Sequence, residues 1–249
     1  MELESSFIQI PGIGKRTEQK LWSQGITDWH TGASASVLGP TKRRKLALFA
    51  NEAETELAAG NIEYFAGALP NRARWRLAET FRDQATALDI ETTGLEPTTN
   101  QVTTVSLHGP AGTRTLIQGQ DLTADRLQAE LDRSGMLVTY NGARFDIPFL
   151  EKRFNLDIDQ PHLDLMYDCQ RLGWTGGLKT VEEILGIERS VPDVDGLEAV
   201  RLWHRYQDGD EHALDRLVEY NREDTRTLLP IMDQITAALD QEVFEPHLA

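Results

Sequence analysis

The 249-residue chain is 40% hydrophobic, enough for one large domain or a small one beside a medium one. A single cysteine, Cys169, excludes an intramolecular disulfide. No apolar run approaches the roughly 18 residues of a membrane helix, and the acidic opening lacks the basic start of a signal peptide, so a cytoplasmic protein away from membranes is expected.

The net charge of −15 is unevenly spread. Residues 1–60 carry seven bases and seven acids, so the whole excess falls on residues 61–249. Arg outnumbers Lys by 19 to 6. An acid-rich, Lys-poor surface suits a protein solvated in concentrated salt. At about 1 M salt the Debye length is roughly 3 Å, which would screen repulsion from DNA or RNA. The acidity therefore reads as adaptation to a salty, halophilic cytoplasm, with ordinary solubility as the plainer alternative.

In chain order, Pro11-Gly12-Ile13-Gly14-Lys15-Arg16 comes first, a tight turn leading into a periodic run around Leu21 and Trp22. A helix starting there points its free N–H groups outward beside Lys15 and Arg16, a ready phosphate site. The stretch resembles the helix-hairpin-helix motif, whose Gly-Ile-Gly hairpin grips a nucleic-acid backbone without reading sequence. The resemblance implies backbone contacts at Gly12, Gly14, Lys15 and Arg16. A fainter copy at Leu38-Gly39-Pro40 keeps one glycine and gains Lys42, Arg43, Arg44 and Lys45. An ordinary turn between helices with a solvated basic face is the alternative. The helical pattern continues to Gly60. Arg72–Leu77 is basic around Trp75, read more readily as a packing residue than as a nucleic-acid contact. The expected division is an all-α domain over 1–60, a connecting segment over 61–84 and an α/β domain over 85–240.

From Gln84 the period changes. Ala85–Ile90, Gln101–Leu107 and Arg114–Gln118 read as strands, Leu122–Leu131 as a helix and Met136–Tyr140 as a buried strand. A helix follows Asp146, and the chain is mainly helical after His162–Leu165. The first strand delivers Asp89 and Glu91 to one face, because strand side chains alternate. Two such carboxylates repel by about 4 kcal/mol at an effective dielectric near 20, so a fold that holds them together supplies a proton or a metal. All-oxygen ligands suit a hard cation, Mg²⁺ or Mn²⁺. Two solvated acids at a strand end remain the plain alternative for that pair taken alone.

The order of elements is that of the RNase H-like fold, a mixed sheet with helices on both faces. Asp89-x-Glu91, Asn141-x3-Phe145-Asp146 and Tyr220-x3-Asp224 together resemble the three motifs of the DEDD superfamily of 3′→5′ exonucleases, in its Tyr variant. Gly177–Glu188 resembles the predicted exonucleases called YprB-like. Tyr206-x3-Asp210 also fits the third spacing, but Asp208-Gly209-Asp210 reads as a turn, whereas Tyr220 and Asp224 lie four apart on a helical pattern and share a face.

The resemblance implies a two-metal phosphodiesterase with two Mg²⁺ or Mn²⁺ ions. Asp89 would bridge them, Glu91 and Asp224 would complete one site, Asp146 would support the other, and Tyr220 would orient the attacking water. Thr92, Thr93, Gly94 and Leu95 would contact the terminal nucleotide, and Asn141 would order the loop that bears Asp146. The expected partner is DNA or RNA with a single-stranded 3′ end, and the product is a nucleoside 5′-monophosphate. A binding or scaffold protein on the same fold and an RNase H-like endonuclease are the alternatives. Asp164 reads as a helix cap; Cys169 and His204 read as packing or surface residues.

Overall fold

A computed structural model of the chain describes residues 1–191 and 196–248. It divides into two compact units: Met1–Arg82 together with the chain from Asp233 onward, and Asp83–Met232.

In the first unit, a short 3-10 turn at Leu3–Ser5 precedes α1 (Lys15–Trp22), α2 (Trp29–Ser34), α3 (Pro40–Ala58) and α4 (Ile62–Ala68). Residues 71–76 form a further 3-10 stretch, and α5 is Leu77–Thr80. Trp22, Trp29 and Trp75 are fully buried. The first two each spend their indole N–H on a backbone carbonyl, of Ser5 and Ser6, at 2.8 Å. Gly32 is required in α2: a Cβ there would lie 2.7 Å from the Phe7 ring and 2.9 Å from Leu46. Arg76 reaches from the 3-10 stretch to Glu18 of α1, with two bonds of 2.7 and 3.0 Å. Within residues 61–84, the expected connecting segment, lie α4, the 3-10 stretch and α5, and Phe65, Trp75 and Leu77 there are buried.

In the second unit the strands are β1 (Ala85–Thr92), β2 (Val102–Gly109) and β3 (Gly112–Ile117). Then come α6 (Ala124–Leu131), β4 (Met136–Thr139), α7 (Asp146–Phe154), β5 (His162–Asp164) and α8 (Leu165–Arg171). The unit continues with α9 (Leu178–Leu185), α10 (Gly196–Gln207) and α11 (Glu211–Val243), whose last residues, from Asp233, belong to the first unit. The sheet order is β3-β2-β1-β4-β5. The β3-β2-β1 part is antiparallel, and β4 and β5 run parallel to β1, so the sheet is mixed as expected.

Alternation along β1 sorts its side chains between two faces of the sheet. Leu88 and Ile90 enter a core with Leu127 and Leu131 of α6 and Phe149 and Leu150 of α7. The intervening Asp89 and Glu91 face the other way, toward α11. On that side Ala199, Leu202 and Trp203 of α10 pack with Leu214, Leu217 and Tyr220 of α11. This second cluster fixes the face of α11 that meets the acids.

Candidate metal centre

The partner strand β4 pairs with β1 only from Ala85 to Ala87. Beyond that, one edge of β1 is open, and the Asp146 carboxylate takes over: it accepts the Ile90 N–H at 3.2 Å. Asp146 is the first residue of α7, where helix N–H groups favour an anion. On the other edge, the register of β1 against β2 slips between Glu91 and Thr92. Such an irregularity re-aims the end of a strand, and these often lie beside sites.

Across from β1, α11 presents Tyr220 and Asp224 one turn apart. One carboxylate oxygen each from Asp89, Glu91 and Asp224 lies within 4.8 Å of the others. Asp146 adjoins them closely enough to act electrostatically on both Asp89 and Glu91. The four acids come from β1, the start of α7 and the middle of α11.

Burial and mutual repulsion dominate the electrostatics. Burial, then Asp146, Asp224 and Glu91, push the Asp89 carboxyl well above the usual range. Burial and the neighbouring acids push Glu91 up to about 8, against a pull downward from Lys179. Burial pushes Asp146 up to about 7, with the backbone N–H groups opposing. Asp224 is also raised by burial, with Arg189 and the Tyr220 hydroxyl working against the rise. The Tyr220 hydroxyl is itself pushed up, by burial and then by Asp224, so at neutral pH it remains a donor. A set of hard oxygen donors that repel one another when ionised fits a hard divalent cation, which would replace the protons.

Three residues here, Asn221, Arg189 and Lys179, were given no role by the sequence motifs. Asn221 donates to Asp89 Oδ2 at 2.6 Å and holds it toward α11. Arg189 forms an ion pair with Asp224. Lys179 and Arg189 place their cationic ends 5.4 and 5.6 Å from the centre of the Tyr220 ring. Asn221 directly follows the motif tyrosine, and Lys179 lies inside the stretch that resembles a known family. Arg189 lies just past it, with no spacing rule to mark it.

Asn141 has a left-handed backbone, φ 67°, and its N–H donates to Asp164 at 2.7 Å. Asp164 also accepts the Ala143 N–H at 3.0 Å and caps α8 through Met166 at 3.1 Å. It is therefore a cap, as read, and also the anchor of the loop leading to Asp146. Thr92 donates to the Gly94 carbonyl at 2.8 Å, Thr93 closes the turn against Gln101, and Leu95 is 83% exposed. Tyr206 and Asp210 lie outside the cluster. The Tyr206 hydroxyl accepts from Gln120 at 3.2 Å, while Asp210 pairs with Arg205 at 2.5 Å and accepts the Ala213 N–H near the start of α11. In the first unit, Gly12 takes φ 95° and Gly14 caps α1. Lys45 donates to the Pro11 carbonyl at 3.4 Å, which brings the base-rich start of α3 against the same turn.

These features define an α/β protein with a carboxylate cluster between the open edge of its central strand and a long helix. The model of the RNase H superfamily matches residues 87–236, and the chain belongs to that superfamily. No curated protein matches the chain by sequence. Among solved structures, the chain is similar to a family B DNA polymerase of the archaeon Pyrobaculum calidifontis. The identity is 18% and the TM-score 0.53, over 66% of this chain and 26% of the polymerase. The chain thus spans about a quarter of that enzyme's length, and the likeness is one of fold. It is also similar to NrnC of Brucella melitensis, at 20% identity and a TM-score of 0.48, over 68% of this chain and 80% of that one. No described helix is long and apolar enough to cross a membrane.

Proposed function

We propose that the protein is a metal-dependent 3′→5′ exonuclease that hydrolyses phosphodiester bonds of DNA or RNA and releases nucleoside 5′-monophosphates. The observation that carries this reading is the meeting of Asp89, Glu91 and Asp224 within 4.8 Å in a chain of the RNase H superfamily.

Asp89, Glu91 and Asp224 would hold one Mg²⁺ or Mn²⁺ ion, and Asp146 with Asp89 would hold a second. When bound, the ions supply charge stabilisation to the reacting phosphate and a more acidic water. In the metal-free protein, burial and the neighbouring Asp224 keep the Tyr220 hydroxyl protonated. It would orient a water while hydrogen-bonded to Asp224. Asn221 keeps Asp89 turned toward α11. The Asp164-anchored loop sets the start of α7 and hence Asp146. Leu95, exposed at the rim of the Thr92–Leu95 turn, offers an apolar surface for the terminal base.

The Gly12–Gly14 turn, with Lys15 and Arg16 beside it, would add contacts to the phosphate backbone. Two bases of the α3 start adjoin that turn: Lys45 bonds to Pro11, and the Lys42 chain lies 3.7 Å from where a Gly12 Cβ would be. The test is product analysis on 5′-labelled DNA and RNA oligonucleotides with Mn²⁺, Mg²⁺ or EDTA. The expected result is a ladder shortening one nucleotide at a time from the 3′ end, absent in EDTA. Internal cuts or cleavage in EDTA would refute the reading.

A further inference from the structure

Arg189 stands out once the acids are accounted for. Its side chain is only 14% exposed, and both of its partners are more buried. One guanidinium nitrogen, Nη1, donates to both Glu182 oxygens, at 3.1 and 2.8 Å. The other, Nη2, donates to Asp224 Oδ1. Glu182 is held in turn by the Thr227 hydroxyl at 2.5 Å, and Thr227 sits on α11 one turn beyond Asp224. The next residue, Ser190, donates its N–H and hydroxyl to Glu223 at 2.5 and 2.9 Å. The backbone beneath Arg189 is thus pinned to the same helix that carries Asp224. A solvated surface pair would not have a buried acid behind it and a pinned backbone below it.

This arrangement fixes one oxygen of Asp224, a carboxylate that the Tyr220 hydroxyl also holds. A carboxylate with both oxygens available binds readily in bidentate fashion, which large, flexible Ca²⁺ shells accept. Small cations such as Mg²⁺ require near-octahedral geometry. The rigid fork of arginine spans two carboxylates in a way that a lysine ammonium cannot. We infer that Arg189 is a positioning residue that holds Asp224 as a one-oxygen ligand and so biases the site toward small octahedral cations over Ca²⁺. This inference rests on the proposed metal-binding reading of the acid cluster.

Calorimetric titration of the metal-free full chain with Mn²⁺ and with Ca²⁺ tests it, on wild type, Asp89→Asn, Arg189→Lys and Arg189→Gln. Wild type should take Mn²⁺ more tightly than Ca²⁺. Both Arg189 variants should narrow that gap on the order of tenfold, the scale on which partners of metal ligands shift affinity. Arg189→Lys matters most, because it keeps the charge and loses the fork. Glu182→Gln, which keeps the guanidinium and weakens its anchor, should move the gap the same way and serves if an Arg189 variant does not fold. An unchanged gap in folded variants would overturn the inference. So would an unchanged Arg189→Lys beside an Arg189→Gln that tightens both cations equally, since charge alone would then explain it. Asp89→Asn separates the two levels: if it keeps wild-type Mn²⁺ affinity, the metal reading itself fails, and this inference with it.

Discussion

The two units of the molecule both bury acids, and they treat them in opposite ways. In the first, Glu18 is 1% exposed and fully satisfied: Arg76 donates two bonds to it, and the Phe7 and Ile8 N–H groups add bonds of 2.7 and 3.0 Å. In the second, Asp89, Glu91 and Asp146 confront one another, and the shared guanidinium goes to Asp224. A buried acid wrapped by a cation and amides ties elements together. Acids turned on each other, buried at Asp146 and Asp224 and half-buried at Asp89 and Glu91, suit a cation that the chain does not itself supply.

The comparison breaks if the acid cluster is merely structural. Asp89→Ala or Asp224→Ala should abolish hydrolysis, a loss of more than about 10³-fold, while circular dichroism stays native. Removing an acid from this group relieves repulsion and takes a ligand from the proposed metal centre. Near-normal cleavage by either variant at saturating Mg²⁺ contradicts the assignment.

The mirror experiment is in the first unit. Arg76→Ala strands Glu18 without its cation, and breaking one side of a buried pair costs about 3–5 kcal/mol. Chemical denaturation should show that loss, whereas the same measurement on Asp89→Ala should show little or a gain. Equal destabilisation of the two would erase the distinction between them.

A smaller effect separates two tyrosines. Tyr220→Phe should lower turnover on the order of 10²-fold, the low end for a group positioned to handle a proton. Tyr206→Phe should leave turnover close to wild type, since its hydroxyl meets Gln120 and not the acids. The reverse pattern would move the third motif to Tyr206 and Asp210.

The smallest expected effect lies at the Gly12 turn. Exchanging Lys15 and Arg16 for Glu should raise KM on long oligonucleotides and make the salt dependence of binding shallower by about one to two in log–log slope. A dinucleotide should show no change. Point variants suit this test better than deletion of residues 1–60, which would cut through the Glu18–Arg76 pair. Unaltered KM and slope would leave the turn as a helix connection only.

The range of each signal decides how much of the site is legible in the sequence. Asp89 and Glu91 announce themselves by period two, and Tyr220 and Asp224 by a spacing of four. Both rules are local, and both place the side chains correctly on β1 and α11. The strand boundaries erred by one or two residues, and β1 runs on through Glu91 to Thr92 because the antiparallel pairing with β2 continues there. The partners that tune the acids were not readable. Arg189 meets Asp224 across 35 positions and Asn221 meets Asp89 across 132, contacts that only tertiary packing creates. Helix α11 shows the same limit: its 33 residues continue past Pro230, and no local rule marks where one unit ends within it.

The most direct test of the central claim is the melting temperature of the metal-free protein against pH, with and without Mn²⁺. Glu91 and Asp146 have folded pKa values raised to about 8 and about 7, from ordinary values of 4.5 and 3.8. The folded state therefore holds extra protons between those limits, and stability present below about pH 4 falls as pH rises toward 8. Mn²⁺ should restore it, with a larger gain at pH 8 than at pH 5, and Glu91→Gln should flatten the loss and shrink the gain. A melting temperature indifferent to Mn²⁺ at pH 8, or a Glu91→Gln profile identical to wild type, would contradict the account.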